Sequence, residues 1–236
     1  MDELKRQARL AGFLYLLAVI VGPFRLIYIP NTLFVAGDAT ATAANIAAHA
    51  AMFRWGIVSE VVGSTIMLFV TLALYRLFKG VDQTLAALML ILGGLMVTPL
   101  QFANTVTDAA ALQIASAPAY LTAAFSGPQR DALVLLAIRM HHACDVAQEL
   151  FWGLWLLPFG MLVYRSRFIP RVLGVWLVLN CFAYVALCFT ALIVPQYEST
   201  VFDWGQPAFF GEVAIMLWLL VAGARPRTLA SVRADV

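Results

Sequence analysis

Residues 148–165 read QELFWGLWLLPFGMLVYR, and this stretch decides what kind of protein the chain forms. After the carboxylate of Glu149, the next charged residue is Arg165. A helix needs about 20 consecutive, mostly apolar residues to cross the hydrocarbon layer of a bilayer. With the residues just before it, the stretch reaches this length, and we predict a membrane-spanning helix at about 145–164.

The composition of the whole chain also indicates a membrane protein. Of its 236 residues, 63% are hydrophobic and 12% are charged, whereas soluble domains carry about 25% charged residues. We therefore predict an all-α, polytopic fold with a single membrane domain over residues 1–236, in contact with the lipid bilayer. Six apolar runs predict six transmembrane helices, at about 9–29, 55–78, 84–106, 145–164, 171–194 and 207–224. An Ala-rich segment at about 40–54 predicts a helix in the first outer loop.

Basic residues are concentrated on one side of these predicted helices. That side holds Lys5, Arg6, Arg9, Arg76, Lys79, Arg165, Arg167, Arg171, Arg225, Arg227 and Arg233. Because cytoplasmic loops carry an excess of Lys and Arg, we predict a multi-pass protein of the cell (inner, or cytoplasmic) membrane with both termini in the cytoplasm. The first apolar run is too long for a typical cleaved signal peptide, which favours an uncleaved signal anchor.

The glutamate at the start of the quoted stretch has counterparts in two other predicted helices. Sixteen residues separate Glu149 from Arg165, the same spacing separates Glu60 from Arg76, and thirteen residues separate Glu212 from Arg225. The repeated spacing predicts three related helical hairpins. With a rise of 1.5 Å per residue, each glutamate lies roughly 20–24 Å from its cytoplasmic end, in the outer third of the membrane.

Other polar side chains fall at a similar depth. The third span carries Gln101, Asn104 and Asp108 at helical spacing, and the first span carries Arg25. The segment that enters the fourth span carries the largest group: His141, His142, Asp145, Gln148 and Glu149. A carboxylate facing lipid costs about 2.5–3.5 kcal/mol, so these groups are expected to face the interior of the bundle or a wet, outward-facing pocket.

Three interpretations of these polar groups remain open. In the first, the carboxylates only form ion pairs with Arg25, Arg54 and Arg139, and the protein is structural or binds a partner, including a second copy of itself. In the second, an outward-facing pocket binds or transports a small cationic ligand or ion. The residues proposed to bind that ligand are Glu60, Glu149, Glu212, Arg25, Gln101, Asn104 and Asp108.

The third interpretation is a metal-dependent intramembrane enzyme of the hydrolase type. Imidazole and carboxylate groups on one helical face can bind zinc or a similar divalent metal. The predicted ligands are His141, His142, Asp145 and Glu149. In this interpretation Glu60 or Glu212 completes the metal site or acts as a general base.

Several other functions have no support in the sequence. It contains no GxxxxGK[ST], GxGxxG or GxSxG pattern, so phosphate-loop, dinucleotide and hydrolase-elbow interpretations are not indicated. The net charge of +2 gives no indication of a nucleic-acid partner. Lys5 and Lys79 are the two lysines, and both lie outside the apolar runs, which excludes a buried Schiff base.

Blocks of the sequence resemble a known bacterial membrane family, domain of unknown function 4386. They are ARLAGFLYLLAVIVGPF (8–24), GDATATAANI (37–46), ALYRLFKGVD (73–82), GLWLLPFGMLVYRSRFIPRVLGV (153–175) and the final GE…LWLLVAG (211–223). The resemblance implies a polytopic membrane protein and supplies no catalytic residues. It also implies a histidine at His141 and an acid at Glu60 and Glu212, and Gln instead of an acid at Glu149.

Overall fold

The computed structural model describes residues 2–224, and this part of the chain is almost entirely helical, with no β-strand in it. Six helical segments are long and apolar enough to cross a membrane. Spans 1 to 6 are Glu3–Leu33, Ala50–Phe78, Gln83–Ala115, Gly127–Ser166, Arg171–Ile193 and Pro195–Val221. The prediction of an all-α, multi-pass membrane protein with six transmembrane helices is thereby confirmed.

Spans 1, 3, 4 and 6 are built from more than one helical segment. Span 1 consists of Asp2–Pro23, a π-helical turn at Phe24–Tyr28 and Ile29–Leu33, and span 3 consists of Gln83–Leu90, a π-helical turn at Ile91–Met96 and Val97–Ala115. Span 4 consists of Gly127–Leu154 and Leu156–Ser166, and span 6 of a 3-10 turn at Pro195–Tyr197 and Glu198–Val221. The break in span 4 at Trp155 precedes Pro158, which has no backbone N–H to donate to the carbonyl of Leu154.

Short polar side chains begin two of the helices. Asp38 Oδ1 accepts a hydrogen bond of 2.8 Å from the backbone N–H of Ala41 and caps the connecting helix Ala39–Ala48. Asp82 Oδ1 accepts one of 3.0 Å from Leu85 and caps span 3 in the same way. These bonds satisfy N–H groups that have no partner within the helix. A second connecting helix, Ala119–Ala124, lies between spans 3 and 4.

The chain divides into two compact units whose boundaries fall within spans 1 to 4. The first unit comprises Met1–Leu17, Ile66–Thr98 and Gln148–Val236, and the second comprises Ala18–Thr65 and Pro99–Ala147. Each unit has its own apolar core. The first is built around Leu74, Phe78, Phe159 and Leu177, and the second around Ile29, Ile46, Phe53 and Val134.

Close backbone contacts through glycine hold the helices of the first unit together. A Cβ atom on Gly174 of span 5 would lie 2.6 Å from the carbonyl oxygen of Gly160 in span 4, and one on Gly12 of span 1 would lie 2.4 Å from the backbone nitrogen of Leu220 in span 6. Small residues at such positions are typical of membrane helices, because dispersion contacts replace the hydrophobic effect as the force between them.

Candidate functional site

In the second unit, a group of buried or partly buried polar side chains comes from all four spans that contribute to it. We call this group the His141 cluster: Arg25 from span 1, Glu60 from span 2, Gln101, Asn104 and Asp108 from span 3, and His141 and Asp145 from span 4. Asp108 is fully buried and His141 is 3% exposed. Buried polar groups need hydrogen-bond partners, and these side chains form hydrogen bonds and ion pairs with one another.

Arg25 and Asp108 form a two-pronged ion pair. Arg25 Nε donates to Asp108 Oδ2 at 2.5 Å, and a terminal guanidinium nitrogen donates to Oδ1 at 2.7 Å. The guanidinium also lies 5.7 Å from the ring centre of Phe34 and 6.0 Å from that of Phe53. Paired oxygens and aromatic rings compensate for the loss of water around a buried guanidinium. Arg25 lies in the π-helical turn of span 1, a type of irregularity that is frequent at functional sites.

The imidazole of His141 lies among three carboxylates. Its Nε2 atom is 3.3 Å from Glu60 Oε1 and 3.3 Å from Asp145 Oδ2. Its Nδ1 atom is 3.3 Å from Asp108 Oδ1 and 3.3 Å from the hydroxyl of Thr107. His141 and Asp145 are four residues apart on one helix, a spacing that places their side chains next to each other.

Two amides of span 3 orient the remaining carboxylates. Gln101 donates a hydrogen bond to Glu60 Oε1. Asn104 donates to Asp145 Oδ1 at 2.9 Å and to the backbone carbonyl of His141 at 3.2 Å. The carboxylates accept these bonds, so the amides hold Glu60 and Asp145 against the imidazole.

Glu60, His141 and Asp145 bring three potential metal-ligand atoms close together. One ligand atom from each of the three residues lies within 4.8 Å of the others. Imidazole nitrogen and carboxylate oxygen are donors that zinc and similar divalent metals use. Glu60 Oε2 is buried and forms no hydrogen bond within the described residues 2–224. A buried acceptor without a donor costs free energy, and a cation at this position would remove that cost.

A cavity of about 360 Å³ opens beside these residues. Arg25, His141 and Asp145 form part of its wall, and Leu26, Pro30, Phe34 and Ile138 contribute apolar surface. Two further basic residues, Arg139 and His142, complete the polar part of the lining. The volume is within the range of small-molecule sites, and three members of the His141 cluster are part of the cavity wall.

A second polar group lies in the first unit, around Glu212. The hydroxyl of Tyr15 donates to Glu212 Oε2, and Asn180 Nδ2 donates to Oε1 at 3.3 Å. Tyr184 also contacts this carboxylate, and Glu149 acts on Tyr184 electrostatically. We call these residues the Glu212 cluster. Its donors are neutral hydroxyl and amide groups, whereas the His141 cluster contains a guanidinium and an imidazole.

The structure distributes the residues predicted from the sequence between the two units. Arg25, Glu60, Gln101, Asn104, Asp108, His141 and Asp145 lie together in the His141 cluster, and His142 lines the cavity. Glu149 and Glu212 belong to the first unit. The meeting of all three glutamates in one pocket, and the inclusion of His142 and Glu149 among the metal ligands, stay predictions.

The sequence interpretation missed Tyr15, Thr107, Asn180 and Tyr184. Asn180 did carry a signal, because it is an amide in the middle of the apolar run RVLGVWLVLNCFAYVALCF (171–189), where an unpaired polar group is costly. The tyrosines and Thr107 gave no comparable signal, since Tyr and Thr are both common in apolar spans.

Six helices long and apolar enough to cross a membrane define the class of this protein: a multi-pass membrane protein. Within that class, the chain belongs to the family described as domain of unknown function DUF4386, whose model matches residues 10–223. No curated protein and no solved structure matches the chain.

Proposed function

We propose that this membrane protein binds a divalent metal cation through Glu60, His141 and Asp145. The observation that carries the proposal is the position of their three ligand atoms, within 4.8 Å of one another, on two different spans. Two lines of support are that residues distant in sequence have their ligand atoms close together, and that Asn104 and Gln101 hydrogen-bond to the two carboxylates from a third span.

The formal charge of the cluster favours a cation. It contains three carboxylates, from Glu60, Asp108 and Asp145, and one guanidinium, so its charge is −2 when His141 is neutral. Arg25 compensates Asp108, which leaves two carboxylates close to one imidazole. Uncompensated charge at membrane depth is expensive, and one divalent cation would neutralise the site.

The ligand set leaves room for a further ligand. Catalytic and exchangeable metal sites have about three protein ligands and keep one position open, whereas structural zinc sites use about four. The cavity beside His141 provides space for water or a small molecule in that open position. The site is therefore suited to an ion that is bound reversibly or that acts on a ligand, rather than to a purely structural ion.

Elemental analysis of protein purified without chelator tests the proposal. After exposure to zinc or manganese and removal of the excess, the native chain should retain about one equivalent of metal. Glu60→Gln and Asp145→Asn should each lose most of it. Asp203→Asn removes an exposed carboxylate of span 6 and serves as the matched control. Native protein that retains less than about a tenth of an equivalent would lack the site.

A metal-dependent enzyme is the second candidate function. The observation that favours it is the position of Arg139 and His142 on the wall of the same cavity, where they could bind the anionic part of a substrate. A metal ion there would activate water or polarise a substrate oxygen. The metal-loaded protein should then hydrolyse small chromogenic phosphate or carboxylic esters, and Asp145→Asn should abolish the activity. Equal rates for the native chain and this variant would exclude it for those substrates.

A further inference from the structure

Two neighbouring cavities lie in the first unit, at the start of span 1 and the end of span 2. The charged side chains that line them are basic, whereas those of the His141 cluster are mostly acidic. The cavity volumes are about 390 Å³ and about 550 Å³, and both cavities are lined by Gln7 of span 1 and Arg76 of span 2. Because they share these residues, the two cavities are adjacent, and together they make up a groove between the start of span 1 and the end of span 2. We call it the span 1–2 groove.

The groove has an apolar wall that continues along both helices. Leu10 and Leu14 of span 1 face Phe69 and Leu72 of span 2 across it. Leu10 and Phe69 are each 51% exposed. In a membrane protein, apolar side chains exposed along a span are covered by lipid chains.

The end of the groove is basic. Arg6 and Arg76 line the first cavity, and Arg76 and Lys79 line the second. No acidic residue is among the described residues that line either cavity. The nearby Glu3 accepts a hydrogen bond from Gln7 and is outside both linings.

Helical spacing explains why each span presents both apolar and basic side chains to the groove. Arg6, Leu10 and Leu14 follow one another at intervals of four residues, which places them on one face of span 1. Phe69, Leu72 and Arg76 follow at intervals of three and four, on one face of span 2. The two faces together form a surface that is apolar along its length and positively charged at its end.

We propose that the span 1–2 groove binds an anionic phospholipid. An acyl chain lies against Leu10, Leu14 and Phe69, and the phosphate is bound by Arg6, Arg76 and Lys79. Charge complementarity selects this ligand, because guanidinium groups bind phosphate oxygens in pairs and basic pockets between spans bind anionic headgroups. A free phosphate would use the basic end alone and leave the apolar wall without a role.

Lipid exchange measured on the reconstituted full chain tests the proposal. The protein is placed in vesicles of phosphatidylcholine with a minor fraction of spin-labelled phosphatidylglycerol, and the immobilised fraction of the labelled lipid is compared with that of labelled phosphatidylcholine. The native chain should prefer phosphatidylglycerol. Each cation near the surface contributes about fivefold in affinity, so Arg6→Gln with Arg76→Gln should remove most of the preference.

Matched variants keep the result interpretable. Arg54→Gln removes an exposed arginine outside the groove and should keep the preference, as should Arg76→Lys, which retains the charge. Lys79→Gln changes an exposed side chain and gives a single-site readout if the double variant does not fold. An unchanged preference in Lys79→Gln and the double variant would overturn the proposal. So would full displacement of the labelled lipid by glycerol phosphate, which would indicate a site for the headgroup alone.

Discussion

Arg25 and Asp108 form a deeply buried ion pair, with side chains 5% and 0% exposed. Removing one partner of a buried pair leaves the other charge without compensation, which costs about 3–5 kcal/mol. Asp108→Asn should therefore lower the unfolding free energy of the protein in detergent by about this amount. Thermal unfolding followed by circular dichroism measures the change.

Asp82 and Arg165 provide the control for this prediction. Their side chains form an ion pair of 2.8 Å but are 28% and 51% exposed, and such pairs contribute about 0–1 kcal/mol. Asn also retains the capping function of Asp82 at the start of span 3. Asp82→Asn should therefore have a small effect, and similar losses in the two variants would contradict the role given to burial.

Tyr15 makes the corresponding contribution in the Glu212 cluster. Its hydroxyl donates to Glu212 Oε2, and its side chain is 3% exposed. Tyr15→Phe keeps the ring and removes one hydrogen-bond donor from the part-buried carboxylate of Glu212, at a cost of about 1–3 kcal/mol. Tyr197→Phe, at a position 56% exposed, should change the melting temperature little. If both variants melt together, the hydrogen bond to Glu212 does not stabilise the fold.

At the residue scale, the sequence showed which side chains needed partners but not which partners they have. An isolated carboxylate at membrane depth must be compensated, and Glu60, Asp108 and Glu212 could be selected for this reason. Their partners come from other spans, as Tyr15 does for Glu212. Helical periodicity describes one helix at a time, so it carries no information on contacts between helices that are distant in sequence.

An irregular turn in span 3 packs against the interruption in span 4. In the π-helical turn of span 3, a Cβ atom on Gly93 would lie 2.8 Å from the ring of Trp155. Trp155 is itself the residue at which the helix of span 4 is interrupted. The ring therefore fills the space that a side chain at position 93 would occupy, and the two irregularities fit each other.

Gly93→Ala tests this contact. Adding a methyl group to a well-packed contact costs about 1–3 kcal/mol, and neither the backbone of span 3 nor the ring can move away freely. Gly22→Ala is the control, because a Cβ atom there has no neighbour within 4 Å, and helix propensity favours Ala over Gly by about 1 kcal/mol. The first variant should melt at a lower temperature and the second at an equal or higher one.

Hydropathy located every span because a helix must bury about 20 residues in lipid whatever its partners are. It did not locate the ends, since polar segments continue the helices where no breaker stops them. Span 4 begins at Gly127, well before its apolar run, and this extension carries His141. In the sequence, the segments that form π-helical turns show no apolar periodicity that distinguishes them from α-helix. Pro23 and the pair Gly93 and Gly94 mark their positions only approximately.

At the scale of the whole molecule, the glutamates of the two polar clusters have chemically different neighbours. Glu60 lies with an imidazole and a second carboxylate, the set proposed to bind a metal, whereas Glu212 accepts hydrogen bonds from neutral groups. A spacing of thirteen to sixteen residues to a terminal arginine predicts a similar depth for these residues but not a similar function. The proposed threefold repeat of hairpins therefore does not require three equivalent sites.

This difference leads to a prediction about the stability of the whole protein. A ligand that binds only the folded state stabilises it by about 2.7 kcal/mol at a concentration one hundred times its dissociation constant. For a chain of this size that raises the melting temperature by about 5–10 °C. Zinc or manganese should produce such a shift in the native protein and none in Glu60→Gln. Glu149→Gln should retain it, because Glu149 belongs to the first unit. If Glu60→Gln and Glu149→Gln lose the shift equally, both glutamates take part in binding the metal, as in the wider set of ligands predicted from the sequence. Retention of the shift in Glu60→Gln would place the metal elsewhere in the molecule and end the assignment to the His141 cluster.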